Sequence, residues 1–89
     1  MIQQQITIIN KLGLHARAAS KLVNLAAQYS SSVFLIHQGT QINAKSIMGV
    51  MMLAASKGTE MEITVEGDDE EVCIQSLVEL INNRFDEPE

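Results

Sequence analysis

The stretch Met61–Phe85, MEITVEGDDEEVCIQSLVELINNRF, changes its hydrophobic period midway, and that change decides the fold. Met61, Ile63 and Val65 alternate with Glu62, Thr64 and Glu66, the period-2 pattern of a strand with one buried face. Beyond Gly67, four acidic residues, Asp68 to Glu71, gather where the positive end of a helix dipole favours them. Val72, Cys73, Ile74, Leu77, Val78, Leu80 and Ile81 then recur at helical spacing. A half-buried strand followed by an amphipathic helix calls for a layered domain in which the two cover each other. The acidic tail beyond Phe85 is expected to fray.

Upstream, residues 2–9 (IQQQITII) read as an isoleucine-rich strand ending at the NKLG loop. From about residue 16 the period becomes helical: Ala19, Leu22, Val23 and Ala26 share a face, and the pattern stops near Tyr29-Ser30-Ser31-Ser32. SVFLIHQGTQIN, residues 32–43, gives two β-prone runs around Gln38-Gly39, where glycine permits the positive φ of a hairpin turn. Next comes a short helix, with Ser46 as N-cap, an interruption at Gly49 and closure before Lys57-Gly58. The order β-α-β-β-α-β-α predicts an α+β domain: one antiparallel or mixed sheet with its helices on one face and water on the other.

Composition bounds what such a domain can do. Eighty-nine residues make one small domain, 1–89, with a single core and no room for a deep catalytic cavity, so any chemistry belongs at the surface. The core is built from aliphatic residues, because 46% of the chain is hydrophobic but only 3% aromatic. A net charge of -5 provides no basic surface for a phosphate backbone, so nucleic-acid binding is disfavoured. One cysteine allows no internal disulfide, and neither a signal-peptide pattern nor a membrane-length apolar run is seen. Cytoplasmic residence without membrane insertion is the expectation.

The candidate chemistry lies in GLHARAASKL, residues 13–22. His15 falls at the N-cap of the first helix, where the N–H groups of Ala16 and Arg17 are left free and form an anion site. The Arg17 guanidinium adds a planar cation suited to phosphate. The positive helix end also favours a neutral, nucleophilic imidazole. On these residues alone, the commoner reading of such a triplet is an exposed loop histidine beside a solvated arginine. Ser46 is likewise first of all a cap, although phosphorylation there would set about -2 charge beside Ile47, Met48 and Met51. Met48, Met51 and Met52 cannot all be buried on so short a helix, so some are expected in an adaptable docking surface and one or two in the core. His37 is expected to be exposed at a strand end, Cys73 to be buried, and Glu70, Glu71 and Asp86 to be solvated. Two histidines and one cysteine, scattered along the chain, are too few for a metal site, and no cofactor is expected.

NKLGLHARAASKL, together with NAKSIMGVMMLAASKG about thirty residues downstream, resembles the HPr family, the histidine-containing phosphocarriers of the bacterial phosphoenolpyruvate-dependent sugar phosphotransferase system. The resemblance spans essentially the whole chain. It implies an open-faced β-sandwich, with a four-stranded antiparallel sheet and three helices on one side, and a monomer. It implies that His15 accepts a phosphoryl group on Nδ1 from phosphorylated enzyme I and passes it to enzyme IIA domains, making the protein a carrier rather than an enzyme. Arg17 would steady the phosphate with the backbone of Ala16 and Arg17, and Ser46 would match the site of the ATP-dependent HPr kinase/phosphorylase. Ser20, Asn24, Ala27, Ile47, Met48, Gly49, Met51 and Met52 match the family's docking surface. Two departures stand out: Ala18 replaces the usual proline, and Asn24, Ala27 and Gly49 stand where some relatives carry lysines. The alternatives are a carrier of the nitrogen-related branch and an interaction domain in which His15 only caps.

Overall fold

The computed structural model describes residues 1–89. The elements are β1 (Ile2–Thr7), α1 (Ala16–Ala26), β2 (Ser32–His37), β3 (Thr40–Asn43), α2 (Ile47–Met52), β4 (Glu60–Glu66) and α3 (Glu70–Asn82). The order is the one the periodicities predict. All strand pairings are antiparallel and the sheet order is β1-β4-β2-β3, which puts the alternating strand β4 at the centre beside β1 and β2.

That alternation sorts the two faces. Met61, Ile63 and Val65 of β4 join Val33 and Leu35 of β2 and Ile6 of β1 beneath the helices, all 5% exposed or less. The helices close the layer with Ala18, Ala19, Leu22 and Ala26 from α1 and with Cys73, Ile74, Leu77 and Ile81 from α3. The alanines let α1 lie close, and Leu22 and Leu77, both essentially unexposed, each contribute about 1.5–3 kcal/mol by leaving water. The opposite sheet face carries Gln3, Gln5, Glu62 and Glu66, as expected of a wetted face. Thr64 is the exception: it lies between Gln3 and Phe34 in the register and is only 8% exposed. The β2–β3 turn uses positive φ at both Gln38 (51°) and Gly39 (81°), the two-residue hairpin geometry that suits sheet twist.

Several expectations fail, each for a local reason. Helix α2 is short and closes before Lys57 as expected, ending after six residues at Met52. Ala54, at φ 49°, turns the chain left-handed and stops the helix there, while Gly49 is no interruption, since its N–H is the group capped by Ser46. The methionines divide differently from expectation: Met48, Met51 and Met52 are 70%, 44% and 81% exposed, so none is core, and α2 buries only Val50. Glu70 is not simply solvated; it accepts the N–H of Gly67 and pairs with the Met1 amine at 3.1 Å. These partners hold its carboxyl below the ordinary range, the Gly67 bond most of all. Asp69 works similarly, with a carboxylate that takes the Ser31 hydroxyl and the N–H groups of Ser30 and Ser31, joining the loops before β2 and α3. Cys73 is buried as expected, and burial pushes its thiol up. His37 is half-buried rather than exposed at the end of β2.

The tail does not fray either. After α3, Arg84, Phe85 and Asp86 take φ values of 56°, 53° and 64°, three consecutive left-handed residues without a glycine. Such a turn costs about 1–2 kcal/mol per residue. Phe85, with no exposed surface, repays this by filling the core, and its carbonyl accepts from Lys21 Nζ at 2.8 Å. The turn sends residues 87–89 back across the N-terminal end of α1.

Candidate functional site

The loop before α1 is fixed to its neighbours by backbone bonds. Ile8 exchanges bonds with Thr59 and Gly58, and Leu14 N–H donates to the Ala55 carbonyl at 2.8 Å. Gly13, at φ 68°, allows the close pass against Ala55, and buried Leu14 anchors the end of the loop. His15 thus arrives at the N-cap with extended backbone, φ -73° and ψ 177°. Its Nδ1 accepts the Arg17 N–H at 3.3 Å, a long capping bond made by a ring nitrogen in place of the usual hydroxyl or carboxylate. Its Nε2 faces the Glu87 carboxylate.

These two contacts assign the ring. A nitrogen that accepts from a backbone N–H carries a lone pair, and one held by a carboxylate carries the proton, so the neutral imidazole is the Nε2–H tautomer. Nδ1 therefore points its lone pair at the start of α1. The Ala16 N–H makes no bond within the chain, and the Arg17 guanidinium is exposed in the same open cleft, of about 740 Å³, lined also by Lys11, Leu12, Glu87 and Pro88. A group attached at Nδ1 would meet the helix N–H groups, with a cation beside them.

Glu87, itself half-buried, is tied to a buried residue. Its other oxygen accepts from Asn10 Nδ2 at 2.9 Å, and Asn10, with no exposed surface, also donates to the Gly13 carbonyl at 2.7 Å. Burial alone would push the Glu87 carboxyl up. The hydrogen bonds from Asn10 and His15, aided by the Lys21 charge, outweigh it and hold the carboxyl below the ordinary range. The contact is therefore intact at neutral pH and is lost only as pH falls through that lowered value.

His15, Ala16 and Arg17 are brought together as the sequence suggested. Ser46 belongs to another element: exposed at the N-cap of α2, its Oγ accepts the Gly49 N–H at 3.2 Å. Ser20, Asn24 and Ala27 lie on or just beyond α1, and Ile47, Met48, Gly49, Met51 and Met52 on α2, which packs against α1. Ser20 and Gly49 are half-buried and the others exposed. Asn10, Lys11, Leu12 and Glu87 are additions the sequence reading lacked. Leu12, 67% exposed beside the cleft, extends the apolar surface toward His15.

Ala18 lies in the first turn of α1, where its N–H has no intrahelical acceptor. Ala18→Pro is thus expected to lose no backbone bond and to stabilise by about 0.4–1 kcal/mol through the unfolded chain. A thermal melt should show a rise of a few degrees. A fall in melting temperature would show that the buried Ala18 site has no room for the ring.

Comparison with known proteins agrees with this geometry. Residues 2–83 match the family model described as the PTS HPr component phosphorylation site. The phosphocarrier protein HPr of Pseudomonas aeruginosa is 55% identical over 86 residues, 96% of each chain. The crystal structure of HPr from Thermoanaerobacter tengcongensis superposes with a TM-score of 0.96 at 44% identity, covering all of both chains. An HPr dimer from that organism superposes at 0.79 with 45% identity, covering 98% of this chain and 100% of that one.

Proposed function

Because the chain belongs to the HPr family of phosphocarrier proteins, we propose that His15 accepts a phosphoryl group on Nδ1 from phosphorylated enzyme I and delivers it to enzyme IIA domains. The observation that carries this reading is the assigned ring: Nε2 faces the Glu87 carboxylate and holds the proton, while Nδ1 keeps its lone pair at the start of α1, where it accepts the Arg17 N–H beside the unbonded Ala16 N–H and the Arg17 guanidinium. A phosphoryl group there would draw on the backbone of Ala16 and Arg17 and on the guanidinium, three donors suited to phosphate oxygens. The N–P bond is labile, which suits relay rather than storage. The protein acts as a carrier, a single unit over residues 1–89, in the cytoplasm where its partners work, and as a monomer.

Partners would dock over Ser20, Asn24, Ala27 and the exposed α2 residues Ile47, Met48, Gly49, Met51 and Met52. A shallow, flexible, methionine-rich surface suits several partners that must bind briefly and leave. Ser46 sits at the edge of that surface. Phosphorylation by HPr kinase/phosphorylase would set about -2 charge among the methionines and weaken docking, which supports a regulatory use of the same patch.

Incubation of the full chain with phosphoenolpyruvate and enzyme I should give an acid-labile phosphoramidate signal in ³¹P NMR that disappears on addition of an enzyme IIA domain. Absence of that signal overturns the carrier reading. ATP and the cognate kinase should in turn give an acid-stable phosphate that Ser46→Ala removes.

A further inference from the structure

The C-terminal strap reaches the nucleophile itself, and Glu87 lies beyond residues 2–83 matched by the family model. We infer that Glu87 is a positioning residue for phosphoryl transfer: its carboxylate holds the Nε2 proton of His15, keeps the Nδ1 lone pair facing the incoming phosphorus, and offsets the positive charge the ring acquires. This rests on the carrier function proposed above.

The step balances without an added proton. The Nδ1 lone pair, on release from the Arg17 N–H, forms the bond to phosphorus, the N–P bond of the donor's phosphohistidine breaks, and its electron pair stays on the donor's imidazole nitrogen. His15 keeps its Nε2 proton throughout and becomes a phosphorylated imidazolium. Glu87 is the one carboxylate in contact with that proton, as the acidic member of a serine-protease triad faces its histidine. Arg17, Lys11 and Lys21 are the cations around the site, and none of them can serve a ring turning positive.

The contact is held from outside the ring. Asn10, fully buried, fixes the second Glu87 oxygen, and its own Oδ1 has no partner, a buried polar group retained at a cost. The left-handed turn at 84–86 is locked by buried Phe85, by Lys21 on the Phe85 carbonyl and by Asn83 on Asp86 at 2.8 Å. A frayed acidic tail would need none of these. Consecutive strained residues near a reactive group are the kind of feature that function explains.

The test compares the full chain with Glu87→Ala, Glu87→Gln and Glu87→Asp. Initial rates of phosphorylation by limiting phospho-enzyme I should fall by roughly 10- to 100-fold in Ala and Gln, the scale of other carboxylates that orient a functional histidine, with part of the rate restored in Asp. The Nε2 proton of wild type should give a downfield, slowly exchanging NMR resonance that Glu87→Ala abolishes. Wild-type or faster phosphorylation of the Ala and Gln variants overturns the inference, even if their melting temperatures drop, because the strap would then be structural only or an obstruction. Failure of wild type to be phosphorylated at all would overturn the carrier reading itself, and the inference with it, so the two failures are distinguishable.

Discussion

Replacing His15 with asparagine is expected to abolish acid-labile phosphorylation while leaving the helix as stable as before. The two roles of His15 use one nitrogen, since Nδ1 caps α1 by accepting the Arg17 N–H and is also the atom that would take phosphorus. Asparagine separates them. It ranks among the best N-cap residues, so its side-chain oxygen takes over the acceptance from Arg17 or the next N–H, and stability should stay within about 1 kcal/mol of wild type. For a domain of this size the melting temperature would then move by no more than about 8 °C. An amide nitrogen, however, has its lone pair delocalised and forms no phosphoramidate. Mass spectrometry and ³¹P NMR after incubation with phosphoenolpyruvate and enzyme I should therefore show no acid-labile phosphate, while acid-stable modification at Ser46 is unaffected. Acid-labile phosphate persisting in the variant would transfer the acceptor role to His37, which lies half-buried at the end of β2.

The elements that sequence located best are those whose patterns arise from burial alone. The alternation of residues 61–66 became β4 at the centre of the sheet, and the apolar spacing of residues 72–81 became the buried face of α3, since a residue's side of the sheet or helix follows from its period. His15 as N-cap was legible because the helical pattern begins just after it. What was not legible depends on contacts that no local pattern encodes. The end of α2 at Met52 is set by left-handed Ala54, and the return of the tail by left-handed residues at Arg84, Phe85 and Asp86, all of types that usually avoid that region. Glu87 meets His15 across most of the chain, and Asn10, a polar residue in a loop, is read by default as exposed although it is buried. The one available signal was Phe85, a large aromatic residue out of place in a solvated tail. In the same way, all three α2 methionines are exposed because a six-residue helix offers the core one position, Val50.

Gly13→Ala should be the most damaging single-methyl change near the site. A Cβ at Gly13 would stand 2.4 Å from the Ala55 carbonyl oxygen and 2.9 Å from Ser56 Cα, both backbone atoms, so no side-chain rotation relieves it. The φ of 68° adds a left-handed cost of about 1–2 kcal/mol, and forcing atoms into occupied space adds roughly 1–3 kcal/mol. Together they amount to about 2–5 kcal/mol, a fall in melting temperature on the order of 10–30 °C. The strain would not stay local. Relieving it means lifting residues 10–14 away from Ala55, which stretches the Leu14 N–H bond to the Ala55 carbonyl and pulls the Gly13 carbonyl off Asn10. Those bonds set where His15 stands and where Asn10 holds Glu87, and a displacement of about 1 Å at a reacting group can cost roughly 100-fold in rate. Phosphorylation by enzyme I, measured well below the new melting temperature, should thus fall in the folded variant as well. Gly39→Ala is the matched control: its φ of 81° is equally left-handed, but nothing lies within 4 Å of the added carbon, so only the conformational cost should appear and phosphorylation should be unchanged. Equal melting temperatures for the two variants would mean that the pass against Ala55 is loose enough to absorb a methyl group, and that the loop does not fix His15 in the way described.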